Sequence, residues 1–483
     1  MNEISLVENT PYLYQQVINL ISNMRTNGTL QAGQKLPSLR QLSSSLSVSI
    51  PTVKQAYIEL ENQGLITAKA KSGYFLKHES SQLSQPKKAR IPLKAISVTR
   101  QQLIEDVFSA IHNSSQNVAL GVANPAAALP ATKALNRTMR RVMAVSGDKA
   151  LHYGPMNGYE PLRRQLAFGY MEYGMTLAPD DIVITNGAQE ALNIALQCVA
   201  KAGDIIAVES PCYFGILELI ENLGMLALEV PICAEDGLSL KDVQKAITKH
   251  PVKACIFSST IANPLGCVLE DEVKKDIVEL LEQHNIALLE DDVYGDLYFG
   301  PKRGTPAQKY SKQGLVLTCS SFSKTAAPGY RIGWIASSKF GAKCAKVKRA
   351  LSCSSSLINQ MTLFEYVRNG EYERHVKQLR QVLLTNKGRM INKLQHYFGD
   401  DIRISDPQGS CVLWLELPEG SDSSRIFQLA LEQNISINPG SLFSPSNRYQ
   451  HCIRLSYGLP WSDKIEKSLK ILAEICQQQR NRD

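Results

Sequence analysis

Residues 320–334 read SSFSKTAAPGYRIGW. The preceding run GLVLTCS (314–320) is short and apolar and reads as a buried strand. Lys324 therefore stands just past a strand end, with hydroxyls at Ser321 and Ser323 and a guanidinium at Arg331. A lone lysine is ordinarily a solvated charge. A lysine kept from water beside other cations gives up its proton more readily, and the neutral amine is the form that attacks a carbonyl. The hydroxyls and Arg331 are natural phosphate ligands. The segment points to an imine-forming lysine next to a phosphate cup.

Pyridoxal 5'-phosphate (PLP) joins an aldehyde to a phosphate. It asks five things of a protein: a lysine for the imine, an acid at the pyridine nitrogen, a donor to the phenolate oxygen, an anion cup, and a group against the ring face. Each has a candidate here. In TNGAQEALNIAL (185–196), Gly187, Ala188 and Gln189 open a helix after the strand DIVIT, and free N–H groups at a helix start attract an anion. In EDDVYGDL (290–297), Asp291 ends a strand and could keep the pyridine nitrogen protonated; Asp292 is its rival. Tyr294, and Asn263 from IANPLG, can donate to the phenolate oxygen and tune the imine. Tyr213, in ESPCYFG, can lie on the ring. Arg454, in CIRLSYG, can grip a substrate carboxylate with two parallel hydrogen bonds, and Asn263 can assist it.

Outward from this centre, DIVIT, DIIAVES, KACIFSS, IALLEDD and GLVLTCS alternate with helical stretches. That alternation predicts an α/β domain with a mainly parallel sheet. The strands VLWLEL, ISINPG and CIRLSYG in 409–458 predict a smaller α+β lobe. The length of 483 residues allows two to four domains, and 44% hydrophobic residues are enough for a large core. No apolar run is long enough to span a membrane, and MNEISLVENT does not read as a secretory signal. The eleven cysteines show no C-x-x-C pair and read as thiols of a reducing cytoplasm. No metal is expected.

The net charge of +8 is uneven: residues 1–100 hold twelve Lys and Arg against five acids. A polyanion partner at that end, or simply a basic linker, would account for it. The patterning favours the former, beside the alternative of a small helical domain with a solvated polar face. Tyr14, Val17, Ile18, Ile21 and Met24 share one helical face, residues 38–46 form a second helix, and Ser49 caps a third in which Val53, Ala56, Tyr57 and Leu60 are the buried stripe. LITAKA and GYFLKH then read as a two-stranded wing. This is a helix-turn-helix with a wing. Thr52, Lys54 and Gln55 face outward on the third helix, and Arg40, Lys69 and Lys71 are placed for phosphates. Residues 78–100 read as a basic, flexible linker, and a helix is expected from Leu103.

The run LPSLRQLSSSLSVSIPTVKQAYIELENQGLITAKAKSGYFL resembles the winged helix of GntR-type regulators, carried by its L-P-S-x-R, V-S-x-x-T-V and S-G-Y-F patterns. The resemblance adds Ser38 and Gly73 to the expected DNA contacts. The family often has Arg where Ile50 stands and a polar residue where Pro51 stands, so its operator preference does not carry over. Residues 115–475 resemble class I/II, fold-type I aminotransferases. Tyr153, the Gly187-Ala188-Gln189 turn, Tyr213, Asn263-Pro264-x-Gly266, Asp291 with Tyr294, Lys324, Arg331 and Arg454 follow in the family's order. Leu265 stands where Thr is usual, and GVANPAAALP matches the substrate-side loop only loosely. The resemblance favours Asp291 over Asp292 and gives Tyr153 to the phosphate of a partner subunit's PLP, which implies a homodimer.

A GntR-like head on an aminotransferase-like body is the arrangement of MocR regulators. It implies a head at 8–77, a linker at 78–100 and a PLP body at 101–483. It further implies a dimer that binds double-stranded operator DNA and senses PLP or a PLP–amino acid adduct, with an amine as another possible ligand. A working aminotransferase, exchanging an amino group between an amino acid and a 2-oxo acid, is the competing expectation.

Overall fold

The computed structural model describes residues 12–26, 29–30, 33–62, 65–69, 72–76, 83–98, 105, 107, 109, 117–446 and 448–480. The chain forms two compact units, residues 1–84 with 384–399 and residues 85–383 with 400–483.

In the first unit, α1 (Leu13–Thr26), α2 (Leu39–Leu46) and α3 (Ile50–Asn62) precede the antiparallel pair β1 (Ile66–Lys69) and β2 (Gly73–Leu76). Val17, Ile18 and Ile21 from α1 meet Val53, Ala56, Tyr57 and Leu60 from α3 in one core, as the periodicity requires. Both predicted starts hold. Ser38 and Gln41 form a reciprocal capping box on α2, and Ser49 Oγ accepts from Thr52 N at 3.3 Å on α3. The segment 33–36 adds a further rung to the wing, with Leu36 N donating to Tyr74 O and Leu76 N to Gln34 O. Tyr57 locks the helices to that segment through a 2.7 Å hydrogen bond to Pro37 O.

The second unit is built on an eight-stranded sheet. Its strands are β3 (Ile182–Thr185), β4 (Ile205–Ser210), β5 (Leu226–Cys233), β6 (Gly237–Leu238), β7 (Val252–Phe257), β8 (Ala287–Asp291), β9 (Val316–Ser321) and β10 (Gly333–Ala336). The spatial order is β3-β10-β9-β8-β7-β4-β5-β6; only β6 and β10 run against their neighbours. These strands are near-continuous apolar runs because both faces are covered. Val183, Ile335 and Leu317 pack on one side with Leu192 of α4 (Ala188–Val199) and Ile216 of α5 (Phe214–Asn222). Ile182, Ile184 and Trp334 pack on the other with Leu363 and Tyr366. A smaller antiparallel sheet holds β11 (Arg403–Ile404), β12 (Val412–Glu416), β13 (Asn438–Pro439) and β14 (Cys452–Ser456), in the order β11-β12-β14-β13.

One expectation needs correction. Residues 85–98 are not a free tether but an extended strap on the second unit. Ile96 and Ala227 exchange both backbone hydrogen bonds at 3.0 and 2.9 Å, and Val98 enters the core. Lys87 N donates to Glu416, Lys88 pairs with Asp242, and Arg448 reaches Arg90 O. The polar composition hid this, because the strap is held through its backbone and a few apolar residues, at a sheet edge that no local signal reveals. The expected helix from Leu103 lies largely outside the described residues. No helix among the described residues is long and apolar enough to cross a membrane, and all eleven cysteines are free thiols.

Candidate cofactor site and nucleic-acid interface

The parallel strands deliver their C-terminal ends to one edge of the sheet, where ligands of open α/β sheets bind. β3 ends at Thr185, two residues before Gly187; β4 leads to Tyr213, β7 to the loop holding Asn263, β8 ends on Asp291, and β9 leads to Lys324. Residues 187, 213, 263, 291 and 324, far apart in the chain, therefore converge because one sheet carries them.

Lys324 is half-buried, and its Nζ donates to Ala123 O at 2.7 Å, 5.9 Å from the centre of the Tyr294 ring. Burial lowers its pKa, assisted by the charges of Arg454 and Arg331 and opposed by Cys411 and Asp291. This is the shift that an imine-forming amine needs. Burial also pushes the Asp291 carboxyl up to about 7, with Asp292 acting the same way and the Val293 N–H and Lys324 opposing. The two aspartates have separate surroundings. Asp292 is ion-paired to Arg303, which also binds Asp296 at 2.7 Å. One oxygen of each aspartate is buried without a hydrogen-bond partner, but only Asp291 lacks an arginine, and the phenol oxygen of Tyr294 is buried without a partner as well. Leaving such an atom unpaired costs about 1–3 kcal/mol, so Asp291 and Tyr294 suit a partner from outside the chain.

At the cup, Gly187 starts α4 with φ +91°, in the left-handed region. A Cβ there would lie 2.4 Å from Arg331 Nη2. Arg331 donates to Asn186 O at 3.0 Å and to Ser323 Oγ at 3.4 Å, and Ser321 Oγ accepts from Ser323 N. Ala188 sits in the first turn of α4, while the Gln189 side chain turns aside to donate to Gly215 O. Tyr213 is held against Gly215, within electrostatic reach of Asp291, Arg331 and Arg454. Arg454 is buried; its Nη1 donates to Asn263 Oδ1 at 3.3 Å and its Nη2 to Gly121 O at 2.8 Å, with Phe443 beneath it. Tyr153 is 90% exposed, at the surface rather than in this cluster.

An orphaned buried acid, an orphaned phenol, an anion cradle too tight for a side chain and a lysine of lowered pKa together fit PLP. Sequence reading missed four participants. Gly121 and Ala123, in a loop matched only loosely, place carbonyls on Arg454 and Lys324. Cys411 borders Lys324 and Tyr294 and carried no signal at all. Arg303, which occupies Asp292, was silent for the same reason.

In the first unit, Arg40, Lys54, Gln55 and Gly73 are exposed, and Thr52 is half-buried with its hydroxyl 2.8 Å from Ser49 Oγ. Ser38 is exposed but already engaged as the α2 cap. Lys69 ends β1, and Lys71 lies outside the described residues.

Comparison with known proteins follows the same division. Residues 115–468 match the family "Aminotransferase class I and II", and residues 13–76 match "Bacterial regulatory proteins, gntR family". The HTH-type transcriptional regulator YjiR of Escherichia coli is 35% identical over 95% of this chain and 98% of its own length. The chain belongs to the MocR-type regulators. A second E. coli protein, the uncharacterized HTH-type transcriptional regulator YdcR, is 35% identical over 96% of this chain and 99% of its own. The MocR body is also similar to the kynurenine aminotransferase of Pyrococcus horikoshii, solved in complex with PMP, at 25% identity and TM-score 0.73, covering 79% of this chain and 95% of that one.

Proposed function

We propose that this MocR-type chain is a transcription regulator whose head, at 8–77, binds double-stranded operator DNA and whose body, at 101–483, senses PLP or a PLP–amino acid adduct. The observation that carries the reading is the union of an exposed cationic winged helix with a body whose buried acid and phenol have no partner of their own. When bound, PLP supplies an electron-withdrawing ring. The chain does the rest. Lys324 holds the cofactor, and Asp291 keeps a proton at the pyridine nitrogen. Tyr294 and Asn263 donate to the phenolate oxygen. Gly187, Ala188, Gln189, Ser321, Ser323 and Arg331 hold the phosphate, Tyr213 covers the ring, and Arg454 with Asn263 takes a ligand carboxylate. Arg40, Lys54, Lys69 and Lys71 meet phosphates; Thr52, Gln55, Ser38 and Gly73 complete the DNA surface.

The working form is a homodimer in the cytoplasm. Val145, Leu151 and the 90% exposed Tyr153 leave an apolar surface that suits a second copy, with Tyr153 reaching its partner's phosphate. Ligand state can act on DNA only if it favours one arrangement of the two heads over another. The strap at 85–98 suits that role, because it is fixed on the body immediately after the head.

The deciding experiment is a DNA footprint of the purified protein with and without PLP, before and after an amino acid panel. A footprint that changes with ligand supports regulation. The intact set of Lys324, Asp291, Tyr294 and Arg454 also favours an aminotransferase. Fast multiple turnover with a 2-oxo acid, together with no specific footprint, would establish that reading instead.

A further inference from the structure

Arg454 is the group given above to a ligand carboxylate, and one polar side chain beside it has no assigned role. Asn438 of β13 pairs directly with Arg454 of β14 in antiparallel register. Cross-strand partners project to the same face, with Cβ atoms about 4.5–5.5 Å apart. Asn438 is fully buried, and neither end of its amide has a hydrogen-bond partner; Arg454 Nε lacks one too. Gly121 closes the group. A Cβ there would lie 2.6 Å from Asn438 Oδ1, while its carbonyl takes Arg454 Nη2. On the other flank of Arg454, the strand partner is the buried Trp414. An apolar residue at 438 would fit such surroundings without stranding an amide, so the amide asks for a reason.

The chemistry of the two orphans is complementary: Nε–H is a donor and Oδ1 an acceptor. In this structure both Nη atoms are taken by Asn263 and Gly121. A carboxylate gripped by two parallel N–H bonds must displace at least one of these, and the guanidinium then needs a new anchor for its remaining edge. We propose that Asn438 is a positioning residue for Arg454. Its Oδ1 takes the Nε–H when the guanidinium turns from the Gly121 carbonyl to a ligand carboxylate. The ligand class is then an amino acid with a free carboxylate, not a plain amine. This rests on the PLP reading above.

The test uses the full-length protein loaded with PLP. An α-amino acid and the amine lacking its carboxylate are titrated separately against the visible band of the lysine-bound cofactor. In Asn438→Leu, which removes the amide at similar size, amino acid affinity is expected to fall about tenfold or more, with amine affinity and PLP affinity unchanged. Asn438→Ser retains an acceptor and a smaller volume; it is expected to fall between, and it serves if the Leu variant does not fold. Asn438→Asp is expected to lose more than Leu, since its carboxylate competes for Arg454. Equal changes for both ligands, or none, overturn the proposal while leaving the PLP reading intact. A wild-type protein that shows no Lys324-dependent band takes the underlying reading down with it.

Discussion

The two ends of this molecule present their chemistry in opposite ways. In the body most of the candidate groups are buried or half-buried, and the buried side-chain atoms without a partner inside the chain include Asp291 Oδ1, the Tyr294 phenol oxygen, the Asn438 amide and Arg454 Nε, which suit a partner from outside. In the head the candidates Arg40, Lys54 and Gln55 are exposed, and water satisfies them whether or not DNA is near. A buried site can therefore be argued from what it lacks, because desolvation makes an empty valence expensive. An exposed interface can be argued only from charge, face and fold. Ser38 illustrates the difference, since its Oγ accepts from Gln41 N as the α2 cap while its own O–H can still be turned to water or to a DNA phosphate.

The contrast can be broken most directly at Lys324. Lys324→Ala is expected to abolish the imine band of the lysine-bound cofactor, leaving at most the absorbance of the free aldehyde; an unchanged spectrum would place the imine elsewhere. Next in size is Gly187→Val. A side chain at φ +91°, aimed at Arg331 2.4 Å away, should cost PLP affinity about a hundredfold, measured by fluorescence titration. Retained affinity would mean that the phosphate binds away from this turn.

Asp291 offers a pH test of burial itself. Its folded pKa is raised to about 7, well above the unfolded value near 4. Between these values the folded apo-protein holds a proton that the unfolded chain has lost, so stability falls as pH rises. The contribution is whole below about pH 4 and gone above about pH 7. Asp291→Asn is expected to flatten the loss of apo-protein stability between pH 5 and 8 by about 1–3 kcal/mol in denaturant melts. Glu209, also held at about 7 by burial, keeps part of the slope. An identical pH profile in the mutant would refute the assignment.

The head should respond least. Arg40→Ala is expected to weaken binding several-fold on all DNA sequences alike, and to reduce the slope of log affinity against log salt by about one unit. A loss confined to one operator would instead make Arg40 a base reader.

Much of this was legible from local sequence. Lys324 of the SSFSKTAAPGYRIGW segment lies just past β9 as the apolar run required, and the α3 stripe is wholly buried. The strap was not legible. Ile96 is one apolar residue in a polar stretch, and only the exposed edge of β5 makes it a strand partner. The Asp291–Asp292 ambiguity could not be resolved by adjacent residues of identical chemistry either. Asp292 is claimed by Arg303, eleven residues on, and that ion pair exists only once the chain has folded.

By itself, then, the sequence determined the elements, the order of the site's parts, and the pairing of a DNA-binding head with a PLP body. Periodicity, caps and motif spacing are all short-range, and short-range physics writes them into consecutive residues. The tertiary structure alone decided which aspartate is ion-paired to an arginine, which carbonyls face Lys324 and Arg454, and that Asn438 stands opposite Arg454 with nothing to bind. Those facts are partnerships between distant residues, and burial, which makes an absent partner costly, comes into being only when the sheets assemble.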